Sequence, residues 1–392
     1  MPETMTPRER VEATLNHKEP DRVPISLGGS ANHLTEQRYL LLRDHFGVQD
    51  VPRRTLVGFY TTPDYNPVLD KLGTDFRFVH MRPPTNYISN PMEGDFKEFT
   101  DEWGLQHRLV SGYYDMGGAP LAKDLSKESI KNFHWPDPYD PIRVAGLKEE
   151  VENLYNNTDY SIVAHRPVYG NLWEMVRVLV GMENALMMTT LDTAMFDALL
   201  GKLAEIQNGF YDAFLSVVGP YVQIVEMADD YGTNVGPMFN PKIYKQFLMP
   251  HYKKTIELIK KKAPQAKVLL HNDGAIRKFI PDLIETGFEV LNPIEAHLVG
   301  MDPVGLKRDF GKEITFQGGV DIKRVMTQGS LEDIRGEVRL RIEQMGNDGG
   351  YILAPAHNFG NDIPLNNMLA FFQAGHELGF YPLNTAPSGP GK

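Results

Sequence analysis

Three stretches of the chain place carboxylates and imidazoles directly after short apolar runs. Glu226-Met227-Ala228-Asp229-Asp230-Tyr231-Gly232 ends one run, His271-Asn272-Asp273-Gly274 ends the next, and Ala354-Pro355-Ala356-His357-Asn358 ends the last. Residues two apart in a strand face the same way. If the strand continues that far, Glu226, Ala228 and Asp230 share one side and Asp229 takes the other, while His271 shares a side with Asp273. Imidazole plus carboxylate suits zinc in an open catalytic site, where three protein ligands leave one position for substrate. The chain has no cysteine, so no thiolate would donate charge to such an ion. It would be a stronger Lewis acid, suited to polarising an oxygen leaving group. A metal-free alternative is equally coherent: Asp229 or Asp230 would hold a cationic or pyrrole-like substrate while His357 moves protons.

Further polar residues follow other apolar runs. His33 comes after Gly28-Gly29-Ser30, His165-Arg166 after 161–164, Asn292-Pro293-Ile294-Glu295 after 290–291, and Gln317-Gly318-Gly319-Val320-Asp321 after 314–316. Beside the carboxylate-rich stretch lie Tyr231 and Asn234. His33, His165, Tyr231, Asn234 and Glu295 are accordingly candidates for contacting a substrate. Each alone is as well explained as a rim residue bonded to its neighbours. Several strands offering the same chemistry together point to a site.

Groups so spread along the chain converge only if their strands end at one rim. Short apolar runs suited to buried parallel strands occur at 22–27, 76–81, 161–164, 222–227, 268–270, 290–291, 314–316 and 351–353. Helix-period segments lie between the later ones, at 243–261, 276–286 and 331–345, the last stopped by Gly346. An N-terminal helix is announced by the capping box Thr6-Pro7-Arg8-Glu9. Eight strand–helix units close a barrel, with reactive groups at the C-terminal strand ends. The expected fold is therefore α/β, a (β/α)8 TIM barrel with N-terminal insertions, one decorated domain over 1–383 followed by a flexible tail, 384–392. The insertions, between about 30 and 160, carry Phe59, Tyr60, Tyr65, Tyr87, Trp103, Tyr113 and Tyr114. These rings either line an apolar pocket above the mouth or pack an inserted subdomain.

The bulk properties narrow the partners. A formal charge of −11 sets a mean field that repels nucleic acid, anionic membrane and polyanionic substrates. Met1-Pro2-Glu3-Thr4-Met5 runs into charged residues without the apolar stretch of a signal peptide, and no window approaches the ~20 apolar residues of a membrane span. The expected location is the cytoplasm.

Thr6-Pro7-Arg8-Glu9-Arg10-Val11 with Pro20-Asp21-Arg22-Val23-Pro24 opens a longer series. It continues through Asp101-Glu102-Trp103-Gly104, Asp229-Asp230-Tyr231-Gly232, His271 with Gly274, Asn292-Pro293, Gly318-Gly319-Val320-Asp321, and Gly349-Gly350-Tyr351-Ile352-Leu353 with His357 and Pro364. In order and spacing the series resembles the uroporphyrinogen decarboxylase superfamily over nearly the whole chain. The resemblance implies a (β/α)8 barrel. That superfamily divides into heme-pathway decarboxylases and methyltransferases that work with corrinoid proteins. The decarboxylases carry an arginine-rich segment after the first strand to bind the substrate's carboxylates. Here that place reads Ile25-Ser26-Leu27-Gly28-Gly29-Ser30-Ala31-Asn32-His33.

The chain is more similar to the methyltransferase group, and its Asp-Glu-Trp-Gly and glycine-turn segments look like the branch that demethylates methoxylated compounds. The likeness implies zinc as cofactor, a corrinoid (cobalamin) protein as partner and a methoxylated, aromatic substrate. Some members bind zinc through His-x-Cys and a later Cys; His271-x-Asp273 stands where His-x-Cys would. By position His357 is the third ligand, with Glu226 as its substitute. Zinc, or acid catalysis by Asp230 of the Asp229/Asp230 pair, would polarise an ether oxygen while reduced cobalt of the partner takes the methyl group. The rivals are a metal-free decarboxylase of a smaller acid and a non-catalytic protein that binds corrinoid or substrate.

Overall fold

Seven short buried strands form one parallel sheet: β1 (Phe76–Val79), β2 (Ser161–Ala164), β3 (Ile224–Ala228), β4 (Lys267–His271), β5 (Val290–Asn292), β6 (Thr315–Val320) and β7 (Tyr351–Pro355). Each pairs with its neighbour in sequence order. This computed structural model describes residues 2–29, 32–49, 54–57, 60–63, 66–84, 98–110 and 113–383. The tail 384–392, together with Phe59, Tyr65, Tyr87 and the side chains of Tyr60, Tyr113 and Tyr114, lies outside the described residues.

The run at 22–27, expected as the eighth strand, forms bridges without a regular ladder. Leu353 donates its N–H to Pro24 O (2.9 Å), Ser26 N to Leu353 O (2.9 Å) and Asp75 N to Ile25 O (3.0 Å). The segment thus joins β7 to the foot of β1 and curls the sheet toward a closed ring. Pro24 has no N–H for a ladder, and Gly28 and Gly29, at φ 116° and 84°, turn the chain away. These two features keep this stave short.

Alternation along the strands divides the barrel interior into two zones. Phe76, Val163, Ile224, Leu269, Val290 and Ile352 form an apolar floor, closed from below by Val11 and Leu15 of helix α1 (Pro7–Leu15). Burying each of those two side chains contributes roughly 1.5–3 kcal/mol. Two residues further along the strands the same face turns polar, with His165, Glu226, His271, Asn292 and Gln317, all buried. The opposite strand faces pack against the helices in a larger core that includes Trp173, Phe196, Leu203 and Phe210.

An ionic knot ties the floor together. Asp75, fully buried, accepts hydrogen bonds from Arg10 (2.6 Å), from both terminal nitrogens of Arg22 (2.8 and 3.0 Å) and from the amide of Ile25 (2.7 Å). The knot links α1, the bridging segment and β1.

The surrounding helices used below are α2 (Leu172–Val180), α3 (Thr193–Val218) and α4 (Met249–Lys262). The single helix expected at 243–261 contains a π-helical stretch, Tyr244–Leu248, before α4. Pro250 cannot donate to the carbonyl four residues back and its ring crowds that group, so the wider turn relieves it. In the inserted region, Glu98–Thr100, Gln106–Val110 and Tyr113–Gly117 make an antiparallel sheet. Its Asp101-Glu102-Trp103-Gly104 corner is structural: Asp101 accepts the amides of Trp103 and Leu105 (both 2.9 Å), and Trp103 packs on Trp135 and Phe210 of α3. Among the described residues, no helix is long and apolar enough to cross a membrane.

Candidate active site

The loops after β3 and β4 touch backbone to backbone. A Cβ on Gly232 would lie 2.5 Å from the carbonyl oxygen of Asp273, and one on Gly274 would lie 2.6 Å from the carbonyl carbon of Gly232. Only glycine fits either place. This contact draws Asp230 and Asp273 together, and the amide of Asp273 donates to Asp230 Oδ1 (2.8 Å).

At that junction the structure gathers His271, Asp273 and His357. One donor atom from each lies within 4.8 Å of the others. His271 Nε2 is 3.7 Å from Asp273 Oδ1 and 4.0 Å from Asp230 Oδ1, and His357 Nε2 is 3.5 Å from Asp273 Oδ2. Two ligands each ~2.1 Å from a tetrahedral zinc sit ~3.4 Å apart, so these separations fit such an ion. Asp273 Oδ1 is buried with no hydrogen-bond partner among the described residues. These three residues therefore fit a zinc ion.

A relay of amides holds His271 in register. Asn292 Nδ2 donates to Asn32 Oδ1 (2.9 Å), and Asn32 Nδ2 donates to the carbonyl of Pro355 (2.6 Å). That leaves Asn292 Oδ1 as acceptor for His271 Nδ1 at 2.8 Å. The proton therefore sits on Nδ1, and the Nε2 lone pair faces Asp273 and His357, as a metal-ligating imidazole requires.

The charges follow from burial and neighbours. Burial holds His271 below its ordinary pKa. Burial also opposes charge on His357, but the hydrogen bond and charge of Asp273 prevail and raise it. For Asp273 burial works upward, yet His271 and His357 bring it below the usual carboxylate range. Asp230 is pushed well up, by burial first and then by the charges of Asp273 and Glu174.

The remaining candidates fall in three places. Asp229 and Tyr231 leave the mouth, because alternation turns them outward where Asp230 turns inward. Asp229 accepts from the amides of Trp173 (2.8 Å) and Glu174 (2.6 Å) at the start of α2 and from the hydroxyls of Tyr231 (3.1 Å) and Tyr252. Burial raises its pKa to about 7 against those bonds. Tyr231 packs among Phe239, Tyr244 and Phe279. Asn234 is exposed at the tip of the Gly232–Thr233/Gly236–Pro237 hairpin.

Glu295 braces the rim, accepting from the Gly274 amide (2.8 Å) and Lys323 (3.3 Å). Glu226 stands apart from the His271–Asp273–His357 group, 3.5 Å from His165 Nδ1. His33 stacks on His165 at 5.8 Å and His80 lies 4.6 Å from it. Burial depresses all three imidazoles, His80 to about 4. His80 and Asn32 were not among the sequence candidates. His80 was legible as inward-facing, being two and four residues after Phe78 and Phe76; the role of Asn32 was not, because it depends on residues 260 positions away.

The uroporphyrinogen decarboxylase (URO-D) family model matches residues 126–378. The chain belongs to this family. Among URO-D relatives it is 25% identical to the uroporphyrinogen decarboxylase of Trichodesmium erythraeum over 184 residues, 47% of this chain and 48% of that protein. It is 26% identical over 157 residues to the chloroplastic uroporphyrinogen decarboxylase 2 of Arabidopsis thaliana, 40% of this chain and 36% of that one. The chain thus spans about half the length, or less, of these relatives. Its fold is similar to that of a methyltransferase from Methanosarcina mazei, with a TM-score of 0.65 at 18% identity over 95% of this chain and 99% of that one.

Proposed function

We propose that this URO-D family member is a methyltransferase that moves a methyl group from a methoxylated, aromatic substrate to the cobalt of a corrinoid protein, with zinc held by His271, Asp273 and His357. The observation that carries the reading is the convergence of those three side chains at ligand separations on the C-terminal rim, the face on which barrels do chemistry. The fold shared with a methyltransferase supports it. So does the first inward turn, where Asn32 and His33 stand in place of arginines that would bind a polycarboxylate.

In the reaction the ether C–O bond breaks, the partner's reduced corrinoid takes the methyl carbon, and the leaving oxygen gains one proton. Bound zinc would act as a Lewis acid toward that oxygen. The chain's own residues set the stage. Asn292 and Asn32 fix His271, Gly232 and Gly274 bring the carboxylates together, and Glu295 steadies the loop. Asp230 has Oδ1 occupied by the Asp273 amide, and its other oxygen would hand the proton to the leaving group.

The test mixes purified protein, zinc and reduced cobalamin with methoxyarenes and follows cobalamin methylation and phenol release. Equimolar phenol and methylated cobalamin support the reading. Carbon dioxide release from an aromatic acid without metal would replace it with the decarboxylase reading.

A further inference from the structure

Arg166, which follows the end of β2, is a charged group that the described residues leave unpaired. Arg166 is half-buried, and other buried or half-buried arginines are met by carboxylates: Arg10 and Arg22 by Asp75, Arg77 by Asp70, Arg143 by Glu102 and the half-buried Arg177 by Glu174. Arg166 has no hydrogen bond or ion pair with the described residues, and its Nε is buried without a partner. The Tyr169 ring holds it from one side, with Cζ 5.6 Å from the ring centroid. Next to it in sequence, His165 is buried with no hydrogen bond to either ring nitrogen. The carboxylates that could answer Arg166 are engaged: Glu174 by Arg177, Asp230 by the Asp273 amide, Glu226 beside His165. The charge of Arg166 also helps to hold His33, His165 and His271 below their ordinary pKa, after the larger effect of burial.

A buried donor without an acceptor is destabilising, more so on a charged group, and a ligand anion would remove that cost. The planar guanidinium matches a carboxylate. One cation balances one negative charge, whereas a phosphate dianion would add excess charge beside Asp230, Asp273 and Glu226 in a chain of net charge −11. We propose that Arg166 is a specificity residue that binds a carboxylate carried by the substrate, so that methoxylated acids are preferred to neutral methyl ethers. This assignment rests on the methyl-transfer reading for the identity of the ligand, and on Arg166 alone for how the ligand is held.

Calorimetry on the zinc-replete protein with 3-methoxybenzoate and its near-isostere 3-methoxybenzamide tests it. Wild type should bind the acid at least 10-fold more tightly. Arg166→Gln, with unchanged circular dichroism and zinc content, should bind both alike, and Arg166→Lys should keep part of the preference. Equal binding by wild type overturns the proposal. So does an acid preference that survives in Arg166→Gln, as it would if the metal took the carboxylate. Demethylation is scored separately. An acid bound through Arg166 that keeps its methyl group overturns the methyl-transfer reading and leaves the anchor standing; demethylation without acid preference does the reverse.

Discussion

Replacing Asp75 with Ala should loosen the barrel at its closure. Asp75 is fully buried between two buried guanidiniums, and its removal strips three charge-assisted hydrogen bonds and the acceptor for the Ile25 amide. Arg10 keeps Asp21 and Glu3, and Arg22 keeps Glu3, so the guanidiniums are only partly orphaned. Breaking a buried pair in this way costs roughly 3–5 kcal/mol. For 392 residues at ~2.1 cal/mol/K each, the unfolding entropy is ~0.8 kcal/mol/K, so the loss lowers Tm by about 4–6 °C. Asp75→Asn, which keeps an acceptor oxygen for Ile25, should fall between wild type and Asp75→Ala. Differential scanning calorimetry reads all three, with Glu98→Ala, which breaks an exposed pair with Arg108, as a control that stays put. Zinc content should not change, because the knot is at the opposite end of the barrel. A Tm for Asp75→Ala within about 1 °C of wild type would refute the idea that this knot secures closure.

Asn292→Ala removes the acceptor that orients His271 and should weaken zinc binding about 10–100-fold, read by competition with a chromogenic chelator, without loss of fold. Gly274→Ala forces a side chain into a backbone at φ 94° with 2.6 Å of room; it should destabilise by well over 1 kcal/mol and lower zinc affinity together with Tm. His80 carries a pH signature. Its folded pKa, about 4, lies below the unfolded value of about 6.5, so its contribution is present above pH 6.5 and lost on acidification. At pH 5 the loss is about 2 kcal/mol. The Tm advantage of wild type over His80→Asn should therefore shrink by about 2–3 °C between pH 7 and pH 5, and a constant difference would contradict the assignment.

The parallel strands were legible because buried strands leave short apolar runs and helices leave a different period. Alternation, if the strand runs on, separates Glu226 and Asp230 from Asp229, whose carboxylate accepts the amides of Trp173 and Glu174. What the sequence hid are relations between distant residues. Glu226 reads as a metal ligand beside Asp230, yet it lies four residues earlier in the chain and meets His165 instead. Tyr231 is adjacent to Asp230 and on the opposite face. The Asn32–Asn292 relay and the Arg10–Asp75–Arg22 knot join segments that only closure of the barrel brings together. The run at 22–27 reads as a full strand in sequence because its apolar residues mask the effect of Pro24 on the ladder.

The most direct test of the proposed centre is elemental analysis of anaerobically purified, metal-replete protein beside His271→Ala, Asp273→Ala and Glu226→Ala. About one zinc per chain is expected in wild type and in Glu226→Ala, and none in the other two. Zinc retained in His271→Ala and Asp273→Ala, or no metal in wild type under conditions that exclude stripping, would contradict a His271–Asp273–His357 zinc site and return the chemistry to Asp230 alone.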